Sequence, residues 1–348
     1  MNPLIREGDI SEEVADVQAR LRAQGLSVED ATGIFGPSTT RALRAFQQRR
    51  GLIADGIVGV DTWRELVESS WRLGDRVLYL KHPPLRGDDI MALQARLTAL
   101  GFDAGSQDGI LGHDTDAALR AFQREYGVAE DGIAGPHSYA ALEGLRSNRP
   151  STAAGLREEL QRGAHSGVHG TLLVIDPGHG GADAGERSNS GEWEADICWD
   201  LSLRLTEILT NAGARVRFTR TEAESPEDSE RARRANSLGA DLFLSLHLNA
   251  HKEPTAQGSS AYYFRTSAAA AALAESIQGE VVGLGLKDCR SHASSFALLK
   301  ETRMPAVLLE PAHVSSPDDA KQLDDPDFRV SLARAIVAGM QGYYEKGS

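Results

Sequence analysis

Ala42-Leu43-Arg44-Ala45-Phe46-Gln47 recurs unchanged as Ala118-Leu119-Arg120-Ala121-Phe122-Gln123, 76 positions later. The same shift carries Gln18-Ala19-Arg20-Leu21 onto Gln94-Ala95-Arg96-Leu97, Gly33-Ile34 onto Gly109-Ile110, and Asp55-Gly56-Ile57 onto Asp131-Gly132-Ile133. A gap-free match of this length is a tandem repeat. Each copy reads as three short helices, with Val14, Val17 and Leu21, then Ala42, Leu43 and Phe46, then Trp63 and Leu66 at helical spacing. Thr39 and Asp61 stand where a helix start favours a capping or first-turn residue. Gly25 and Gly51 stand where a left-handed C-terminal cap is favoured. The repeated residues read as core and caps, and none of them suggests catalysis.

The whole chain has 348 residues, enough for two or three domains, with 41% apolar and 25% charged residues, the balance of a globular protein. Its 37 basic against 50 acidic side chains give a net charge of −13, which repels polyanions and excludes nucleic acid as the expected partner. No apolar run reaches the ~18 residues that span a bilayer. Residues Met1 to Asp9 lack the basic end and apolar stretch of a secretory signal, so the chain as written is expected to be cytoplasmic as synthesised. Cys198 and Cys289 have no CxxC spacing, and Cys198 falls in an apolar helical pattern that suits a buried thiol.

After Gly170 the pattern changes to short apolar runs alternating with longer amphipathic segments, which is α/β layering. Strands are predicted at 171–175, 215–219, 241–246, 260–264 and 306–309, and helices at 194–212, 227–238, 268–283 and 328–344. The expected layout is a first module over 1–69, a connector over 70–87, a second module over 88–146, a linker over 147–170 containing a short helical stretch at Leu156 to Leu160, and a last domain over 171–348. The fold class is therefore multidomain: two small three-helix modules followed by an α/β domain with a mixed, mostly parallel central sheet flanked by helices.

In such a sheet, groups just past the carboxyl ends of the strands converge on one rim, where ligands bind. The first strand runs into Asp176-Pro177-Gly178-His179, the third into His247-Leu248-Asn249, and the last into Glu310. A catalytic zinc takes three His or carboxylate ligands and leaves one position open. Glu194, at the start of the helix after the first loop, would complete the set. Each residue alone suits an ordinary structural role: a hydrogen-bonded histidine, a helix N-terminal acid, a loop cap. Together, on strands in this order, they point to a metal site.

The repeated pattern, almost whole in Leu93-Gln94, Asp108-Gly109-Ile110-Leu111-Gly112, Thr115, Ala121-Phe122-Gln123 and Asp131-Gly132, resembles the peptidoglycan-binding helical module. Copy one has Thr32-Gly33 in place of the first Asp-Gly. Val174 to Gly181, Glu194 to Ile197, Thr219-Arg220, Arg231, Ala235-Asn236, Gly239 to Ala250, Gly258 and Met304 to Glu310 resemble the zinc-dependent N-acetylmuramoyl-L-alanine amidases of the AmiC/CwlV type. That resemblance implies one zinc ion held by His179, Glu194 and His247, with Glu310 as catalytic acid/base. The choice of Glu194 over Glu192 rests on the family register. Asp176 and Asn249 flank the ligands and are candidates for orienting them. His251, His292 and His313 are left as bystanders or substrate-side contacts, and His313 is the one most suited to touch substrate.

The implied reaction is hydrolysis of the amide between N-acetylmuramic acid and the L-alanine of the stem peptide, with peptidoglycan or a muropeptide as partner and the cell wall as site of action after export or release. Two departures stand out. Where the family reads Gly-Phe-x-Ser-Asn after the glutamate, this chain has Pro311-Ala312-His313-Val314-Ser315-Ser316. The segments joining the ligands are also short, which predicts an open site without an occluding helix. Two modules ahead of an amidase-like domain resemble the actinobacterial CwlM group too. Some members of that group regulate wall-precursor synthesis in the cytoplasm, so the alternative expectation is a scaffold with protein partners in wall synthesis.

Overall fold

The computed structural model describes residues 4–144, 167–188, 191–250 and 255–345. The helical stretch expected at Leu156 to Leu160 and His251 lie outside them. The chain divides into two compact units, one up to residue 156 and one from 157 on.

The first unit contains six helices among its described residues: α1 (Glu12–Ala23), α2 (Pro37–Arg50), α3 (Val60–Glu68), α4 (Asp88–Ala99), α5 (His113–Glu125) and α6 (Pro136–Gly144). Each copy closes its own core, around Val14, Leu21, Phe46 and Leu66 in the first and Ile90, Leu97, Phe122 and Leu142 in the second. Leu78 pairs with Ala134 and Arg86 with Ile110, so residues from the expected connector complete the second module. Arg50, at the end of α2, forms a bidentate pair with Asp88 at 2.8–2.9 Å while also binding Glu65, and this couples the two modules.

The repeated glutamines are the hubs of these modules. Gln94 is buried; its Nε2 donates to Asp108 Oδ1 (2.8 Å), Ile110 O (3.1 Å) and Thr115 Oγ1 (3.1 Å), while its Oε1 accepts from Gly109 N–H (2.8 Å). Gln123 repeats this with Asp131, Ile133, Ser138 and Gly132, and Gln47 with Asp55, Ile57, Thr62 and Gly56. Gln18 uses Ala31 O in place of an aspartate, which accounts for the Thr32-Gly33 variation of copy one. A buried amide is tolerated only when its groups are paired, so each glutamine fixes one Gly-containing loop against a helix. Thr39 is not a cap. Gly36 is the N-cap of α2, and Asp30 accepts from the Thr39 N–H (2.6 Å) and hydroxyl (2.7 Å). Gly51 is the expected left-handed cap, with φ 67°.

The second unit is an α/β domain. Its elements are β1 (Leu172–Pro177), α7 (Glu194–Asn211), β2 (Arg215–Phe218), α8 (Asp228–Leu238), β3 (Leu242–Leu246), β4 (Ser259–Phe264), α9 (Ala268–Val282), β5 (Asp288–Ser294), α10 (Ala297–Glu301), β6 (Ala306–Glu310), α11 (Pro317–Leu323) and α12 (Pro326–Glu345). The sheet order is β2-β1-β3-β6-β4-β5. The four strands β2, β1, β3 and β6 run parallel, β4 is antiparallel to β6, and β5 is parallel to β4. Strand β5 and helices α10 and α11 were not expected from the sequence. β5 is a largely exposed edge strand, Asp-Cys-Arg-Ser-His-Ala-Ser, with no apolar alternation to reveal it. Helices α7, α9 and α12 contribute Leu201, Leu205, Leu273, Ile277, Leu332 and Ile336 to the core cluster that also holds residues of the central strands. Gly339 of α12 lets the backbone of α9 approach closely, because a Cβ there would lie 2.4 Å from Ile277 Cα. Among the described residues no helix is long and apolar enough to cross a membrane.

Replacing Gln94 by Leu leaves the Gly109 N–H and the Ile110 carbonyl without that partner. The expected cost is about 2 kcal/mol of local stability. Amide hydrogen exchange along α4 and α5 checks this, and unchanged protection would contradict the hub role.

Candidate metal centre

β1, β3 and β6 end side by side, with Asp176 opposite Ser245 and Leu246 opposite Leu309, so the residues that follow share one rim. Past β1 the chain makes a turn in which His179 has φ 54°, a left-handed conformation uncommon outside glycine. Arginines from neighbouring segments hold that turn by its carbonyls. Arg231 donates to Pro177 O (2.9 Å) and His179 O (2.8 Å), and Arg220 donates to Pro177 O (2.8 Å) and Gly178 O (2.9 Å). Arg231 is itself anchored on the fully buried Asp176 at 2.8 Å, which also accepts the hydroxyls of Thr219 and Ser245. Asp176 therefore reaches the rim through Arg231 and the His179 carbonyl.

Glu194 is the first residue of α7 and only 2% exposed. Its carboxylate is fixed by backbone donors, Leu248 N–H to Oε1 (2.8 Å) and Glu186 N–H to Oε2 (3.2 Å). His179 Nε2 lies 3.1 Å from Oε2 and His247 Nδ1 lies 3.3 Å from Oε1. One donor atom from each of the three residues falls within 4.8 Å of the others, and among the described residues this is the one such group of His, Cys, Asp or Glu. The imidazoles meet edge to face at 5.0 Å. Gly185 leaves the room they need: at φ 69°, its Cβ would stand 2.6 Å from His179 and 2.8 Å from Glu194 Oε2. Glu192, the neighbouring candidate, pairs instead with Arg329.

Two imidazole nitrogens and one carboxylate oxygen, with the rings partly open to solvent, match the donor set that a catalytic zinc takes and could hold a metal ion. Without a metal these groups satisfy one another. Burial opposes charging His179, but hydrogen bonds and charge from Glu194 and Asp183 outweigh it and push its pKa up to about 9. Burial likewise opposes ionisation of Glu194, yet its bonds to His179 and His247 hold it well below the usual carboxylate range.

Glu310 ends β6 on the same rim. Asn249 Nδ2 donates to its Oε2 at 2.6 Å, and Tyr262 of β4 lies near enough to lower its pKa. Burial pushes the Glu310 pKa up to about 7, with His247 pulling it down and the Glu194 charge adding to the rise. Tyr262 stands against His292 and Phe296, with ring centroids 5.7 and 5.4 Å away. Tyr262 is not among the residues expected from the sequence. Its signal is the antiparallel register that sets Ser260 opposite Glu310, since the residue two positions along shares that face. Reading it requires knowing which strand neighbours β6 and in which direction.

His313 is buried, with Nδ1 3.2 Å from Gly258 O, and both its own N–H and that of Gly258 bind Asp319. It sits inside the wall of the site because Pro311 to Ser316 runs beside Asn249, burying Ala312 and Val314. This contradicts the expectation that His313 is the histidine best placed to touch substrate. His292 is exposed beside Tyr262.

A sequence model of N-acetylmuramoyl-L-alanine amidases matches residues 173–342, and one of a peptidoglycan binding domain matches residues 11–66 and 86–142. The chain is 40% identical to N-acetylmuramoyl-L-alanine amidase CwlM of Mycobacterium tuberculosis, over 99% of this chain and 90% of that protein. It is 34% identical to N-acetylmuramoyl-L-alanine amidase LytC of Bacillus subtilis, over 57% of this chain and 39% of that protein. Among solved structures, an N-acetylmuramoyl-L-alanine amidase from Clostridium difficile 630 matches 50% of this chain and 96% of its own, at 30% identity and a TM-score of 0.48.

Since His179 of the metal-free protein carries its proton up to about pH 9, a metal ion bound there at pH 7.5 must displace it. Calorimetric titration in two buffers of different ionisation enthalpy should show release of about one proton or more per metal ion. Metal binding with no proton release would contradict the assigned pairing.

Proposed function

From the premise that this chain belongs to the N-acetylmuramoyl-L-alanine amidase family, we propose that it is a zinc hydrolase cleaving the bond between N-acetylmuramic acid and L-alanine, in which His179, Glu194 and His247 hold the zinc and Glu310 moves the proton. The observation that carries this reading is the convergence of one donor atom from each of the three residues within 4.8 Å, on the rim where Glu310 ends β6.

When bound, the zinc supplies a positive charge that polarises the scissile carbonyl and lowers the pKa of water toward ~7. Glu310 accepts a proton from the attacking water and delivers it to the departing L-alanine nitrogen. Burial raises the Glu310 pKa, which favours its taking up a proton, while a zinc ion beside it would draw that pKa down again, so the carboxyl can act first as base and then as acid. Asn249 fixes the carboxylate's direction with a neutral donor, which leaves its charge in place. Glu194 sets the spacing of the two imidazoles. A binding-only scaffold would need neither the donor triad nor the glutamate, so their joint presence favours hydrolysis. The two N-terminal modules hold the enzyme on wall glycopeptide, a reading supported by the two segments matching a peptidoglycan binding domain.

Incubation of the zinc-loaded protein with a defined muropeptide should release peptide bearing a free L-alanine amino group, and a chelator should stop it. Glu310→Ala should keep the zinc and lose turnover by about 100-fold or more. An intact muropeptide under conditions where a known amidase cleaves it would overturn the reading, and so would full turnover by Glu310→Ala.

A further inference from the structure

An imidazole that ligates a metal through one nitrogen needs its single proton on the other. The group receiving that proton fixes both the tautomer and the ring orientation. His179 presents Nε2 to Glu194 at 3.1 Å, toward His247, and Nδ1 to Asp183 Oδ2 at 2.9 Å. Both partners are ionised carboxylates, which only accept, so each ring nitrogen holds a proton until a metal displaces the one on Nε2; the Nδ1 proton then stays, donated to Asp183, and the Nε2 lone pair is directed at the site. His247 differs, because its Nδ1 is the atom that faces Glu194.

Asp183 is held ready for this contact by its own loop. Gly180 N–H donates to Asp183 O (2.7 Å) and Asp183 N–H donates back to Gly180 O (2.9 Å), closing a tight turn immediately after His179. Its other carboxylate oxygen accepts Gly185 N–H at 3.1 Å, which sets the rotation of the side chain. The turn is stitched to the next loop by Gly181 N–H to Glu222 O (3.3 Å). Both glycines have positive φ, 120° and 54°, and a Cβ on Gly181 would lie 2.5 Å from Ala223 O.

We infer that Asp183 is the positioning residue of the metal centre, holding His179 in the one tautomer and orientation that can ligate through Nε2. The inference rests on the proposed zinc reading and extends it to a residue that does not touch the metal.

The test is zinc affinity, measured by competition with a chromophoric chelator, for the wild-type chain, Asp183→Ala and Asp183→Asn. Asp183→Ala should raise the zinc Kd about 10–100-fold. Asp183→Asn keeps an accepting oxygen and nearly the same shape, so it should fall between the two. In nitrogen–proton correlation spectra of the zinc-loaded wild type, His179 should show a slowly exchanging proton on Nδ1, lost in Asp183→Ala. Unchanged affinity in both variants would overturn the inference while leaving the zinc reading intact. Failure of the wild-type chain to bind zinc would overturn the zinc reading, and the inference with it.

Discussion

The ion pair between Asp176 and Arg231 is the constraint on which the rest of the rim depends. A buried carboxylate at the end of β1 holds a guanidinium from α8, and that guanidinium holds the carbonyls of Pro177 and His179. It ties a strand, a helix and a strained turn together at one point. Breaking a buried pair from one side costs roughly 3–5 kcal/mol because it strands a charge. The left-handed conformation of His179 persists because this cage, with Arg220 as its second arm, outweighs the backbone strain. The ring then faces Glu194, whose own position is fixed by backbone N–H groups from two different loops.

The helical unit solves a different problem with the same economy of means. Its modules are small, and their loops carry backbone groups that no strand or helix satisfies. Gln18, Gln47, Gln94 and Gln123 each place one amide where it pairs with such groups from inside the core. The result is a helix–loop unit used twice in each module, and this explains why a Thr or Ser recurs at matching distances after corresponding glutamines of the two copies, with an Asp-Gly pair after every one but Gln18. In both units a buried polar side chain defines the loop, and the apolar core supplies the surroundings that make the bond selective.

The repeat was legible because its offset has no gap, and the central strands because burial on both faces makes them continuous apolar runs. His179, His247 and Glu310 could be selected from their places at strand ends, since a parallel sheet brings such ends to one edge. Glu194 could not be told from Glu192 by pattern alone, because both lie at the start of the same helix and only the folded loop sends one to the imidazoles and the other to Arg329. Tyr262 and Asp183 were hidden for related reasons. One depends on the antiparallel register of β4 with β6, the other on a turn that doubles back by four residues. β5 carries no apolar signal because it lies at the edge of the sheet, and His313 misled because a polar residue next to a catalytic position can equally be packed into the wall.

The central claim, that His179, Glu194 and His247 form one metal centre with Glu310 beside it and outside the ligand set, is tested most directly by crystals of the zinc-loaded protein measured on both sides of the zinc absorption edge. A single strong anomalous peak bonded to His179 Nε2, His247 Nδ1 and a Glu194 oxygen is expected, with the Glu310 carboxylate on Asn249. A peak elsewhere in the chain, or one ligated by Glu310 in place of Glu194, would contradict it.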